Sequence, residues 1–393
     1  MAEFKCEVVR VKVTSHPNAD RLEIAQVGDF QSIVGKDYVK DGDLAVYIPE
    51  GAVVPEWLLK ELRLWDETKG KGMCAGSLGN RVKAIKLRGI LSQGLIIKGS
   101  QYADVVRNPM LITARMSADG QRETTVFYEG EDISEFLGIT KYEPKLPSHM
   151  VGKALGMDLD ITHNYDFDNL KKKPDLFEDG DEVVITEKIH GTLLMVSVVP
   201  KDKENERFYR GRVVISSKGL GGRGIILDHN DETNLYAQAV KKHGLLDSMY
   251  DAFASLADTL DRPVVLFGEV FGRTQTGACV QDLTYHDEEL AFRAFDISLG
   301  VRENASFVAY EVFKTWCETI GVNSVPVLYE GPYSKEEVLW HTNGNTTLTD
   351  KPHIREGVVV KHAWEERHPK YGRKIAKSVS EAYLLRKEAT EYA

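Results

Sequence analysis

The sequence predicts an α+β chain in two parts, a small all-β module followed by a larger domain of mixed strands and helices. Two observations carry this. The N-terminal quarter is a series of short β-like runs separated by Gly- and Asp-bearing turns, the pattern of a small barrel or sandwich. From residue 161 onward, strand-like runs alternate with helical ones.

In order along the chain, residues 4–13 alternate, with Phe4, Cys6 and Val8 set against Lys5 and Glu7, and read as a strand. His16-Pro17-Asn18-Ala19-Asp20 is turn chemistry. Runs at 22–27, 31–34, 44–48 and 82–87 supply further strands. Residues 100–160 have weak periodicity and several Pro/Gly breaks, the mark of a connector, so domains are expected at 1–110 and 161–393 with a connector at 111–160. Strands are then expected at 182–199, 212–216, 264–271, 291–297 and 357–361, and helices at 233–260 and 305–320. The second helix follows Glu303-Asn304, and its stripe of Phe307, Tyr310, Phe313 and Trp316 is a core face.

Composition narrows the class. Apolar residues at 42% and charged residues at 28% of 393 describe an ordinary globular chain long enough for two or three domains. No apolar run has membrane-spanning length, and the polar, alternating N-terminus has no signal-peptide core. Cys6, Cys74, Cys279 and Cys317 lie far apart without C-x-x-C spacing, which argues against a disulfide framework or a zinc site and for a reducing, cytoplasmic location. The net charge of −10 does not favour a nucleic-acid partner, but two local patches do. Residues 81–98 hold Arg81, Lys83, Lys86, Arg88 and Lys98 with no acid, and residues 351–377 are rich in Lys and Arg. A basic run taken alone is most often a solvated face.

The stretch with the most chemistry in it is Thr186-Glu187-Lys188-Ile189-His190-Gly191-Thr192. A lysine closes a β-branched run, and a glycine three residues on lets a phosphate-bearing ligand approach the backbone. Four segments downstream fit the same chemistry: Ser216-Ser217-Lys218-Gly219, Phe267-Gly268-Glu269-Val270-Phe271-Gly272, Phe292-Arg293-Ala294-Phe295-Asp296, and Glu356-Gly357-Val358-Val359-Val360-Lys361 with its basic sequel Arg373-Lys374-Ile375-Ala376-Lys377.

In order and context these segments resemble motifs I, III, IIIa, IV and V of the covalent nucleotidyltransferases, which comprise RNA ligases, DNA ligases and mRNA capping enzymes. The form Glu-Lys-Ile-His-Gly, with His190 where DNA ligases usually carry Asp, resembles the RNA ligase 2 branch. Segments 16–23, 40–47, 86–95 and 138–144 resemble the N-terminal OB module of the Deinococcus/Naegleria-type RNA ligases. The resemblance implies an OB-type β-barrel followed by an ATP-grasp-like or DNA-ligase-like nucleotidyltransferase domain built on antiparallel sheets.

It also implies roles. Lys188 would attack the α-phosphate of ATP to form a lysyl-AMP, with Glu187, Ile189, Gly191, Lys218, Glu269, Glu356, Lys361 and Lys377 around the nucleotide and Phe292 stacked on adenine. Phe292, Ala294 and Asp296 are expected on one strand face, and Arg293, Phe295 and Ile297 on the other. His190 would act in passing AMP to an RNA 5′-phosphate, after which a 3′-OH seals the break, a nick in a duplex being the expected substrate. The attacking amine must be neutral, so its pKa must fall from about 10.4 toward roughly 7, or about 4–5 kcal/mol. Lys361, Lys377 and a divalent metal are the expected sources of that shift, with Glu269 and Glu356 as hard oxygen donors for Mg²⁺ or Mn²⁺. Motif V departs from the Lys-x-Lys of relatives: Lys377 precedes Ser378, and Lys374 lies three residues earlier. The alternatives are a DNA ligase or capping guanylyltransferase, disfavoured by His190 and by the short stretch after Lys377, and a non-catalytic RNA-binding OB protein, disfavoured by the intact Lys188, Glu269, Glu356 and Lys377. No membrane and no obligate protein partner is expected.

Overall fold

The structure is a computed structural model that describes residues 4–98, 100–102, 110–116, 122–142, 154–156, 158–203, 212–218 and 224–386. They fall into two units, one of Ala2–Tyr142 with Leu384–Ala393, the other of Glu143–Tyr383. The unit boundary lies inside the expected connector, much of which is outside the described residues.

In the first unit, Leu44–Ile48 is the middle of a three-stranded antiparallel sheet between Glu7–Arg10 and Leu95–Lys98. All five of its residues are buried. Val46 and Ile48 pack into one core with Cys6, Val8 and Leu59, while Ala45 and Tyr47 pack into another with Val11, Ala25 and Ile96. Both faces of this strand are covered, which is why its sequence is apolar throughout rather than alternating. Lys12–Ser15, Leu22–Val27 and Phe30–Gly35 form a second three-stranded sheet. The single strand expected over 4–13 breaks at Val11, whose N–H turns to the Asp43 carbonyl and whose carbonyl accepts from Gly42. The chain thereby passes from one sheet to the other. Among the described residues the two ladders do not close into the expected barrel.

Within the second unit, seven antiparallel strands run in the order Ala154–Gly156, Ile225–Leu227, Val213–Ser217, Thr192–Val198, Val264–Gly272, Leu290–Leu299, Ser306–Phe307. A four-stranded antiparallel sheet runs Val327–Pro332, Glu182–Lys188, Gly357–His362, Ile375–Val379. Helices Leu235–Lys242, Leu245–Leu260 and Tyr310–Thr319 cover one face of the larger sheet, packing Met249, Phe253 and Phe313 on Leu194, Val196 and Leu266. The helix expected over 233–260 is two, because Gly244 takes the left-handed conformation (φ +63°) that stops the first and starts the second. The helix expected from 305 begins at Tyr310, since Ser306–Phe307 is spent as an edge strand on Ser298–Leu299. Most consequential is the run expected over 182–199. It is two strands in two different sheets, and Ile189-His190-Gly191 is the crossing between them.

Candidate active site

Lys188 is the last residue of its strand and pairs with Gly357. The register therefore sets it beside Glu356, and its Nζ donates to Glu356 Oε1 at 2.6 Å. Glu356 is 1% exposed, and its other oxygen, Oε2, has no hydrogen-bond partner. That oxygen lies 3.8 Å from His190 Nδ1. At the crossing, the Gly191 N–H donates to Glu269 Oε1 at 3.1 Å. A Cβ on Gly191 would overlap the Val270 carbonyl oxygen, so only glycine lets the crossing lie this close to the Glu269 strand. Burial pushes the Glu269 carboxyl up to about 8, with Glu356 adding to the rise and Lys188 opposing it.

Lys377 faces the same place from Ile375–Val379, where it pairs with Val359. Its neighbour Ala376 points into the core of the smaller sheet. Burial brings its ammonium down to about 8; Asp166 opposes this, while Lys188, Lys218 and Lys172 are near enough to repel the charge. Lys218, just past the end of Val213–Ser217 in the adjoining sheet, is 3.3 Å from Asp166 with its side chain 41% exposed. One carboxylate pair, the Lys188 amine, a histidine and two further lysines thus converge where the two sheets exchange the chain.

A family model for RNA ligase matches residues 181–379, about half of the chain, and contains all of these residues. The chain belongs to the RNA ligase family. A model of an OB-fold domain matches residues 6–98 of the ligase. Among solved structures, Naegleria gruberi RNA ligase with PPi is 21% identical, with a TM-score of 0.69, covering 98% of this chain and 98% of that one. A mutant of the Naegleria enzyme with ATP and Mn shares 21% identity over 96% of this chain and 98% of its own, at a TM-score of 0.69. A second mutant, with AMP and Mn, has a TM-score of 0.70 and 21% identity, covering 97% and 98%. These likenesses concern the fold. No curated protein sequence matches the ligase.

The geometry of the ligase corrects several sequence expectations. Phe292 is 1% exposed in the helix-side core, its ring against Gly268, and cannot reach a ligand at Lys188. The cause is a bulge: Gly268 pairs with Ala294 and Phe267 with Asp296, so Phe295 is the extra residue. Beyond it the alternation inverts. Asp296 leaves the Phe292 face, Ile297 joins it, and Phe295 lies with the Ile189 cluster. Lys361 pairs with Val184, four ladder positions from the Lys188–Gly357 pair, or about 13 Å at strand rise. It is buried against Asp296 (3.2 Å) and Glu365 (3.4 Å), so it belongs to an ionic network apart from Lys188. Lys374 is held by Asp181 at 2.7 Å, away from Lys377. Glu187 accepts from the Thr346 hydroxyl and from Thr347 N and Oγ, both at 2.8 Å, bracing a turn rather than facing a ligand. The Ile189 side chain is core. Gly219 lies outside the described residues.

Three residues had no motif to announce them, and a fourth, Asp296, stood in a motif without an assigned role. Asp282, Tyr285 and Tyr383 all bond to His190. Asp296 joins Lys361, Arg373 (2.6 Å) and the Tyr165 hydroxyl (2.7 Å). Burial would push the Asp296 carboxyl up, but Arg373 and Lys361 outweigh it and hold it low. The pairing of Phe295 and Asp296 in the sequence was the available signal, since a buried acid after an aromatic needs a cation. Among the described residues, the one trio with metal-ligand spacing is Asp181, His362 and Glu366, and Lys374 already pairs with both of its carboxylates.

Proposed function

We propose that this RNA ligase uses ATP and a covalent lysyl-AMP on Lys188 to join a 3′-OH to a 5′-phosphate, acting on nicks in a duplex. The observation that carries the reading is the Lys188 Nζ–Glu356 Oε1 contact at 2.6 Å, with Glu269 and Lys377 within electrostatic reach of Lys188 and of Lys218. Relatives of the same fold are known with PPi, with AMP and Mn, and with ATP and Mn, which supports the choice of nucleotide and metal.

In the first step the Lys188 nitrogen forms a bond to the α-phosphorus, and the bond to the bridging oxygen breaks to release pyrophosphate. The amine must first lose a proton. Lys377 and Lys218 offer positive charge to the phosphate oxygens as negative charge builds on them. The donor set suits a hard divalent cation. Glu356 Oε2 is buried without a partner, and burial keeps the Glu269 carboxyl protonated until about pH 8. Glu269 and Glu356 would hold Mg²⁺ or Mn²⁺, which would supply charge neutralisation at the phosphates. Phe295, partly exposed beside Ile189, offers its ring to adenine. His190 lies next to the lysine for transfer of AMP to the RNA 5′-phosphate, whose oxygen displaces Lys188 from phosphorus. The 3′-OH then displaces AMP from the activated end.

Incubation with α-labelled ATP or GTP and a divalent cation tests this. A labelled protein is expected from ATP and not from GTP, and not from Lys188→Ala. An adduct that survives Lys188→Ala, or none at all, sinks the reading, and label from GTP alone points to capping chemistry. Nicked duplexes carrying RNA or DNA on the 3′-OH side, compared with single strands, test the choice of substrate.

A further inference from the structure

His190 is 4% exposed and is held at three points. Its Nε2 is 2.6 Å from Asp282 Oδ1, its Nδ1 is 2.9 Å from the Tyr383 hydroxyl, and its backbone N–H donates to the Tyr285 hydroxyl at 2.6 Å. Two of these holds come from one loop, between the strands Val264–Gly272 and Leu290–Leu299. That loop contains consecutive left-handed residues, Tyr285 (φ +55°) and His286 (φ +62°), a conformation that costs energy in residues with a Cβ. The third hold comes from the helix Glu381–Leu385.

The bonds decide which nitrogen carries the proton. A carboxylate only accepts, so at 2.6 Å the His190 Nε2 must donate to Asp282. With the ring neutral, Nδ1 is then an acceptor and the Tyr383 hydroxyl donates to it. The Nδ1 edge also faces Glu356 Oε2 at 3.8 Å, and the other oxygen of that carboxylate holds Lys188. The chain of contacts is Asp282, His190, Glu356, Lys188.

We infer that Asp282 and Tyr383 are positioning residues that lock His190 as its Nε2–H tautomer and aim the Nδ1 edge at the Lys188–Glu356 pair, and that this lock serves the transfer of AMP off Lys188. The step served rests on the proposed function, whereas the lock itself does not. A ring fixed from both sides keeps its orientation when AMP arrives, and loss of such a hold costs about 10–100-fold in comparable sites.

The experiment separates the two half-reactions. Wild type, Asp282→Ala, Tyr383→Phe, His190→Asn and the His190→Asn/Asp282→Ala double variant are assayed for lysyl-AMP formation from ATP. Each is then assayed, as the isolated lysyl-AMP form, for single-turnover transfer to a 5′-phosphorylated nick. Asp282→Ala and Tyr383→Phe are expected to lose no more than about 3-fold in the first step and about 10–100-fold in the second. The double variant should be no slower than His190→Asn, because Asp282 has nothing to hold once the ring is gone. Long-range ¹H–¹⁵N spectra of histidine-labelled protein should show the His190 proton on Nε2 in wild type and shared between nitrogens in Asp282→Ala. Equal slowing of both steps, multiplicative loss in the double variant, or an unchanged tautomer in Asp282→Ala overturns the inference. Should wild type form no lysyl-AMP, the proposed function falls and the spectra alone decide the lock.

Discussion

At the scale of single residues, the energetics of the site are set by charges kept where water is scarce. Lys377 falls from 10.5 to about 8 on folding, mainly through burial. Below about pH 8 both states bind its proton and the buried charge costs its full share, about 3 kcal/mol. Between pH 8 and 10.5 the unfolded chain binds more protons at this position, so stability recovers as pH rises. Lys377→Met should therefore be more stable than wild type at pH 7, with a gain that fades by pH 10.5, while losing lysyl-AMP formation. Urea melts at the two pH values check this, and a variant less stable at pH 7 would show that Lys377 is stabilised by partners instead. Glu269 runs the other way. Its carboxyl rises from 4.5 to about 8, so in metal-free protein stability falls as pH climbs through that window. Glu269→Gln should flatten that fall, raise the metal-free Tm above pH 8 and abolish the extra protection given by Mn²⁺. In the sequence these residues stood out only in company, Glu269 after Gly268 between two apolar runs and Lys377 at the close of the basic sequel to Glu356-Gly357. Asp282 and Tyr383 did not stand out, since each acts through a histidine 92 or more positions away in sequence.

At the scale of elements, the central strands were legible, the outer strands Val327–Pro332 and Ile375–Val379 of the smaller sheet were not, and strand face was not. Period-2 alternation assigns Phe292 and Asp296 to one face, and a single bulged residue undoes that assignment. No local composition marks the bulge; it is set by how Val264–Gly272 pairs with Leu290–Leu299. The two aromatics offer a direct check. Phe292→Ala empties a fully packed position and should destabilise the protein by about 3–5 kcal/mol, with ATP affinity changing little in the molecules that remain folded. Phe295→Ala removes a partly exposed ring and should cost less stability but weaken ATP binding by about 5–10-fold, the worth of one aromatic contact. The reverse pattern, measured by denaturant melts and ATP titration, would restore Phe292 to the nucleotide. The crossing at residues 189–191 teaches the same lesson. The apolar runs on either side look continuous, and only the histidine and glycine between them hint that the chain changes sheets.

At the scale of the whole molecule, covalent chemistry and substrate capture are expected to separate. Lys188, His190, Glu269, Glu356, Lys377, Asp282 and Tyr383 all lie in Glu143–Tyr383, while the acid-free basic stretch 81–98 lies in the other unit. Its tip is a two-residue hairpin between Ile85–Leu87 and Ile90–Ser92, with Arg88 (φ +48°) and Gly89 (φ +88°) both left-handed as a type I′ turn requires. The turn is tied down from the His16-Pro17-Asn18 segment: Asn18 Nδ2 donates to the Arg88 carbonyl at 3.0 Å, and His16 Nε2 meets the Leu87 carbonyl at 3.2 Å. Two stretches distant in the sequence are thus one structural device, which presents Lys86 and Arg88 to solvent. Backbone phosphates are the partner this device suits, and phosphate contacts are read by salt. Lys86→Ala and Arg88→Ala together should weaken binding of a nicked duplex about 10-fold at moderate salt and lower the slope of log K against log salt by about two. Lysyl-AMP formation, which needs no nucleic acid, should be unchanged in the same protein. A full salt slope in the double variant would move substrate capture off this hairpin, and a fall in lysyl-AMP formation would mean that the basic stretch also serves the nucleotide.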